Sequence, residues 1–355
     1  MNKRDRKRRE QLIRTRRRNI NRIRRSKKPK EKQRKTHLSI GGCYESPVRQ
    51  NPEAFEAPKD FRLLNNTEDC ISFFKKIRSR KNAIYKYGKY EIRIDLSHIE
   101  HIDFASTMML DAICYELKTS KPSYYVYGTS PNDISCRKYL LDSGFLNGKF
   151  NEYGGKFPNS EHSASIKIER GHTRLEDSDV QQVVTIEKRI CEHVTGYVGK
   201  EYAHIDMIKE ICGNTVDWSD AKHGQWNYGT KFEDNEVILV ALDLGKGILE
   251  TICRKFSEVV GDLVASHSDV EILEGAYDRK YGSKSRKPNR NRGLPSIKYA
   301  NEKGLIKNLV VITNNVILDF SDGSNSRKFI QKKSQGFNGT LYCWRIDASC
   351  YQNKK

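Results

Sequence analysis

The run Glu236–Asp243, EVILVALD, limits the possible folds of this chain more than any other stretch. Its residues from Val237 to Leu242 are all apolar, and three of them are β-branched. A strand with one wet face alternates polar and apolar residues, so an unbroken run predicts a central strand covered on both faces. The run stops at a carboxylate and passes into Leu244-Gly245-Lys246-Gly247-Ile248. Whatever else the chain contains must supply cover for two faces of this strand.

A helix is expected upstream, beginning near His204. Ile205, Ile208, Ile211 and Cys212 give it an apolar face, while Glu210 and Asn214, four residues apart, share another face with Asp217. This set suits metal-assisted phosphoryl chemistry. An amide oxygen at Asn214 is a ligand that Mg²⁺ accepts, and Glu210 can polarise a water as general base. At the strand end, Asp243 can accept a hydrogen bond from the exocyclic amine of adenine. Gly245 and Gly247 let the backbone turn sharply beside a flat base. Asn291-Arg292-Gly293-Leu294-Pro295-Ser296-Ile297 then opens a helix over about 294–303, whose free amides can meet phosphate. Leu309–Phe320 reads as a hairpin turning at Asn314-Asn315. Gly339-Thr340 opens a last strand, Leu341–Ile346.

This order of helix with E-x-x-x-N, hairpin, D-x-G-x-G, helix, long loop, Gly-Leu turn with helix, hairpin and Gly-Thr strand resembles the GHKL superfamily. That superfamily includes DNA gyrase, MutL-type mismatch repair ATPases, heat-shock chaperone ATPases, sensor histidine kinases and anti-sigma serine kinases. The resemblance covers about residues 180–347. It implies Mg-ATP as ligand, with Glu210 as general base and Asn214 as the Mg²⁺ ligand. It also implies Asp243 binding adenine, Gly245 and Gly247 lining the base, Gly293 and Leu294 in the phosphate lid, and Thr340 beside Asp243. Asp217 completes the polar face of the Asn214 helix. Asn291 stands where the lid motif usually has its first Gly. Glu210, where histidine kinases carry Asn, favours an ATPase or a serine kinase, and His193, His204 and His223 are expected to be packing or surface residues. His223-Gly224 is reminiscent of the anti-sigma kinases.

The preceding half reads as a smaller α/β unit. Cys70–Arg80 is an amphipathic helix, Tyr90–Leu96 a strand with Ile92, Ile94 and Leu96 inward, and Ser106–Lys118 a helix with Met109, Ile113 and Leu117 in one stripe. Ser123–Thr129 is a strand and Asp133–Ser143 a helix stopped by Gly144-Phe145. With Ile99–Ile113 (IEHIDFASTMMLDAI), this segment resembles STAS-like domains of anti-sigma-factor antagonists. Their phosphorylated Ser falls on Ala105 here, inside Asp103-Phe104-Ala105-Ser106, and Ser106 is expected to cap the helix. The fold class expected is α/β, as two α/β sandwiches. Residues 38–155 form the STAS-like unit, and 156–350 form the GHKL-type unit, beginning with a possible strand at Ala164–Ile168 and a helix at 180–198.

Charge sets the N-terminus apart. Residues 1–35 hold 19 Lys and Arg against Asp5, Glu10 and Glu31, leaving 46 basic and 42 acidic residues in the rest of the chain. The net +20 therefore belongs mostly to an arm over 1–37, helical or disordered. A second basic stretch, Arg279–Arg292, coincides with the expected lid. Such an arm suits an anionic partner such as nucleic acid, bound by charge and without stacking, since the arm lacks aromatic residues. Nine scattered Cys without a C-x-x-C pair predict reduced core thiols and a cytoplasmic protein. The basic start without an apolar region predicts no signal peptide, and no run approaches the roughly 18 apolar residues of a membrane span. Three outputs fit these readings. One is an ATP-driven switch acting on a regulatory protein partner, as in bacterial regulatory or defence systems that join STAS-like and GHKL-like domains, with a homodimer possible as in many GHKL ATPases. The others are an anti-sigma-type serine/threonine kinase and a nucleic-acid-binding protein regulated by ATP.

Overall fold

A computed structural model describes residues 53–86, 88–158, 166–171, 175–218, 225–255, 268–278, 293–329 and 337–351. The basic arm, His223-Gly224 and the basic stretch 279–292 with Asn291 lie outside the described residues. The described residues from 53 to 351 belong to one compact unit. Its architecture is mixed α/β, with one largely parallel and one antiparallel sheet.

The first sheet is built from β1 (Phe55–Glu56), β3 (Ile84–Lys86), β4 (Lys89–Asp95), β6 (Tyr124–Gly128) and β7 (Phe150–Asn151), in the order β1-β4-β6-β7 with β3 antiparallel to β4. β1, β4, β6 and β7 run parallel. A separate two-stranded parallel pair joins β2 (Asp60–Phe61) to β5 (His101–Ile102). Three helices accompany this half, α1 (Thr67–Ser79), α2 (Phe104–Thr119) and α3 (Ile134–Asp142). Ile92, Ile94 and Leu96 are buried as their alternation requires.

α2 begins two residues earlier than the sequence suggests, and Ser106 is not its cap. Asp103 is the N-cap, accepting the Ser106 amide at 2.7 Å, while Ser106 Oγ donates back to the Asp103 carbonyl at 2.9 Å. A carboxylate at this position outcompetes the later hydroxyl because it also accepts from Leu64 N at 3.2 Å. α2 is buried on nearly every side from Phe104 to Cys114. One stripe, Met109, Ile113 and Leu117, is fully buried as expected. A second stripe, Phe104 and Met108, lies against Gly229 of the other sheet. A helix apolar all round must be covered all round, and here it packs between two sheets.

That second sheet has seven strands in the order β13-β12-β11-β14-β10-β9-β8. They are β8 (Ile166–Gly171), β9 (Trp226–Phe232), β10 (Glu236–Asp243), β11 (Lys307–Asn314), β12 (Val316–Asp319), β13 (Arg327–Lys328) and β14 (Phe337–Asp347). Every neighbouring pair is antiparallel. The β11–β12 hairpin turns at Asn314-Asn315, with Thr313 opposite Val316 and Asn314 in the left-handed region at φ 55°. β10 lies between β9 and β14, well inside the sheet. Ile238, Val240 and Leu242 share a core with α2 and the first sheet, whereas Val237, Leu239 and Ala241 face a second core. Its unbroken apolar sequence follows from this double cover, here in an antiparallel sheet.

The second core lies under α4 (Asp177–Thr195), α5 (Tyr202–Trp218), α6 (Ile248–Lys255), α7 (Asp269–Tyr277) and α8 (Gly293–Glu302). The chain thus layers sheet, helices, sheet, helices; the two halves share the first core, and the second belongs to the second half alone. Eight described cysteines are free, and seven of them are buried. Among the described residues, no helix is long and apolar enough to cross a membrane.

Candidate functional site

The expected site residues fall into two groups, both on the face of the seven-stranded sheet that the outer helices cover. The first group joins α5 to α8. α5 buries Ile205, Ile208, Ile211 and Cys212 against the sheet. The 3.6-residue repeat therefore turns Glu210 and Asn214 away from that core. α8 brings Gly293 against them from 79 residues further along the chain. A Cβ built on Gly293 would lie 2.6 Å from Glu210 Oε2 and 3.1 Å from Asn214 Nδ2. Only a residue without a side chain fits this contact as it stands. Gly293 itself is buried, Asn214 is partly exposed and Glu210 is exposed. Asp217 is exposed one turn further along α5, and Leu294 is partly buried at the edge of the second core.

The second group is a row across the sheet. Trp226 of β9, Asp243 of β10, Thr340 of β14 and Thr313 of β11 are successive cross-strand partners. Asp243 and Thr340 belong together as expected. The Asp243 carboxylate is buried, and Gly245 N donates to its Oδ1 at 2.7 Å. Burial pushes its pKa up to about 6, opposed by the Gly245 amide, the Thr340 hydroxyl and the charge of Arg78. A buried carboxylate that still ionises near neutrality, with hydroxyls beside it, can accept a hydrogen bond from an amine of a bound ligand.

The turn after Asp243 uses Gly247 for the sharp backbone turn its sequence suggests, and for a second reason besides. Gly247 adopts φ 83°, and a Cβ there would meet Asn314 Oδ1 at 2.4 Å. Its missing side chain makes room for Asn314. That Asn314 oxygen accepts from Leu249 N at 3.1 Å and Glu250 N at 3.3 Å, capping the start of α6. Its Nδ2 donates to the Lys246 carbonyl at 2.8 Å. Thr313 Oγ1 accepts from Ile248 N at 2.9 Å and is hydrogen-bonded to the Gly339 carbonyl at 3.0 Å. Thr313 and Asn314 thus hold the turn from outside it, and neither was singled out as a site residue. The only sequence signal was the Asn-Asn hairpin, which fixes a turn but not what its side chain reaches.

The first group can be weighed against a metal-phosphate ligand by the chemistry of its donors. Among the described residues, no cluster of three or more His, Cys, Asp or Glu is arranged to hold a metal ion. Mg²⁺ commonly keeps several waters and takes few protein ligands beside phosphate oxygens. The Asn214 side chain carries an amide oxygen of the kind Mg²⁺ accepts, and the Gly293 contact beside it opens α8, where the free amides of Gly293 and Leu294 favour an anion. The residues present therefore fit a Mg-phosphate group. A cavity of about 80 Å³ flanks the Trp226 end of the row, lined by Arg170, Asp179, Ile208, Cys212 and Tyr228 among others, and none of the expected site residues lines it.

No family model and no curated protein matches the chain. The geometry therefore stands by itself.

His204, expected to be a packing residue, is fully buried. Its Nδ1 lies 2.9 Å from Glu187 Oε1, and its Nε2 meets the Leu305 carbonyl. Glu187 also accepts from Tyr351 Oη at 2.8 Å and Glu201 N at 3.0 Å. Burial disfavours the charged imidazole, but the Glu187 contact and the Leu305 carbonyl outweigh it and raise the His204 pKa. This pair ties α4, the Glu210 helix α5 and the segment after α8 together.

Proposed function

We propose that the chain is an ATP-binding regulatory protein in which a GHKL-type unit, residues 156–350, binds Mg-ATP, preceded by a STAS-like unit over 38–155. The observation that carries this reading is the convergence at Gly293. Three residues from two distant segments, Glu210, Asn214 and Gly293, meet where a single methyl group would collide. Chance polar residues on a solvated helix face have no reason to lie directly against the glycine that opens another helix. The buried Asp243–Thr340 pair adds a second recognition point on the same sheet face.

In this reading Asp243 takes the adenine amine, with Thr340 beside it and the Gly245–Gly247 turn below the base. Gly293 and Leu294 meet phosphate at the start of α8. Asn214 would hold Mg²⁺, which supplies charge neutralisation at the phosphates. Glu210 orients and polarises a water, so the output is slow hydrolysis used as a conformational switch. Phosphorylation within the chain at the Asp103–Ser106 turn has no support. Ala105 is the residue at the acceptor position, and the Ser106 hydroxyl is fully buried and bonded to the Asp103 carbonyl.

The test is hydrolysis of Mg-ATP by the wild type and Glu210→Ala, with nucleotide affinity measured in parallel. Turnover in the variant is expected to fall at least tenfold while ATP still binds. Unchanged hydrolysis would remove Glu210 from this role, and absence of ATP binding by the wild type would remove the reading. Labelled ATP adds a readout: free phosphate marks an ATPase, and protein-bound phosphate marks a kinase.

A further inference from the structure

The Asp243 turn is also held from the opposite side of the sheet. Arg78, in the last turn of α1, belongs to the first half of the chain. Its Nη2 donates to the Leu244 carbonyl at 3.0 Å, and its Nη1 donates to the Asn338 carbonyl at 3.0 Å. Leu244 follows Asp243 directly, and Asn338 lies two residues before Thr340. One guanidinium thus bridges the two backbone segments that carry the recognition pair. Its orientation is set by Glu116 of α2, which accepts from Nε at 2.9 Å and from Nη2 at 3.1 Å. Both side chains of this ion pair are largely buried, at 21% and 14% exposure.

The geometry uses properties particular to arginine. A planar fork can face a carboxylate along one edge and direct its remaining hydrogens to two carbonyls. An ammonium cannot reproduce that plane. Leu244 packs into the core shared with α2, so Arg78 approaches from the face opposite the Asp243 carboxylate. It does not reach a ligand bound on the other face.

We propose that Arg78 is a positioning residue, holding the Asp243–Gly247 turn and the start of β14 in the register that presents Asp243 and Thr340 to a purine base. The proposal rests on the Mg-ATP reading above. It makes the α1–α2 contact an input to nucleotide affinity: a partner that separates Arg78 from Glu116 loosens the base-binding end of the sheet.

The test uses the full chain as wild type, Arg78→Gln, Arg78→Lys, Glu116→Gln and Asp243→Asn. Mg-ATP affinity is measured by calorimetry between pH 5.5 and 8.5, and amide hydrogen exchange is followed over residues 244–248 and 338–340. Arg78→Gln is expected to weaken ATP at least tenfold and to speed exchange in both segments, with Arg78→Lys intermediate. Removing the Arg78 charge, which holds the Asp243 pKa down, also moves the pH midpoint of binding upward in Arg78→Gln and not in Arg78→Lys. A merely structural tie would leave that midpoint alone. Wild-type affinity, midpoint and exchange in Arg78→Gln, alongside lost binding in Asp243→Asn, would overturn the proposal and leave the ATP reading intact. If Arg78→Gln does not fold, Arg78→Lys and Glu116→Gln decide by the same readouts. If the wild type does not bind ATP, the functional reading fails, and unchanged exchange in the variants overturns the positioning role separately.

Discussion

Asp243→Asn is expected to make the protein more stable at neutral pH while removing ATP binding. The buried carboxylate has its pKa raised from 3.8 to about 6. At about 1.4 kcal/mol per pH unit, keeping it ionised costs the folded state about 3 kcal/mol. The sign follows from linkage. The folded pKa lies above the unfolded one, so protonation favours folding. The stability gained is complete below about pH 4 and is lost as pH rises through about 6. Asparagine is nearly the same shape and stays neutral. Its carbonyl oxygen can still accept the Gly245 amide, and its amide faces the Thr340 hydroxyl. What it cannot do is present two acceptor oxygens to a ligand amine.

Urea unfolding followed by tryptophan fluorescence reads this directly, because Trp226 is the cross-strand partner of Asp243 and Trp344 is fully buried. At pH 8 the variant should be more stable by about 1–3 kcal/mol, which for a unit of this size is a few degrees in Tm. The difference should shrink as pH falls and close near pH 4. Other carboxylates titrate over the same range, but they do so in both proteins and cancel in the difference. A variant no more stable than wild type at pH 8, or a gap that does not close in acid, would refute the cost assigned to this site. Gain of stability with loss of ligand is the pattern expected of a residue kept for function.

Gly293→Ala should leave stability within about 1 kcal/mol, since alanine favours the helix and the carboxylate end of Glu210 can swing aside, yet lower ATP turnover at least tenfold; wild-type turnover would count against the Glu210–Gly293 contact. His204→Leu should cost about 3–5 kcal/mol, because it leaves Glu187 buried without a countercharge. The raised His204 pKa makes the pair's contribution fullest below the unfolded value near 6.5 and lost as pH rises through the folded value, so the gap measured by urea unfolding should narrow in alkali, and a gap that widens there would exclude the ion pair.

The strands and helices of this chain were legible where one physical pattern acted alone. Val237–Leu242 announced cover on both faces, and Asn314-Asn315 announced a two-residue hairpin, because run length and turn chemistry are local properties. The start of α2 was misread because Asp103 and Ser106 are both good caps, and only the tertiary contact with Leu64 N decides between them. For the site, periodicity placed Glu210 and Asn214 on one face of α5. That Gly293 would lie against them is a property of helix packing that no spacing in the sequence encodes.

What could not be read was the relation between the halves. α2 carries two apolar stripes, and the Met109–Ile113–Leu117 stripe alone accounted for a helix on a small sheet. The second stripe, Phe104 and Met108, had no partner until the Gly229 strand was found against it. The same holds for charge. Arg78 stands in the last turn of α1, where a positive side chain is favoured by the helix dipole alone. Its two carbonyl partners lie 166 and 260 residues away. A residue whose local role is complete gives no sign that it has a distant one. For that reason the shared core and the Arg78 contact, rather than the motifs, are where the two halves of this protein can act on each other.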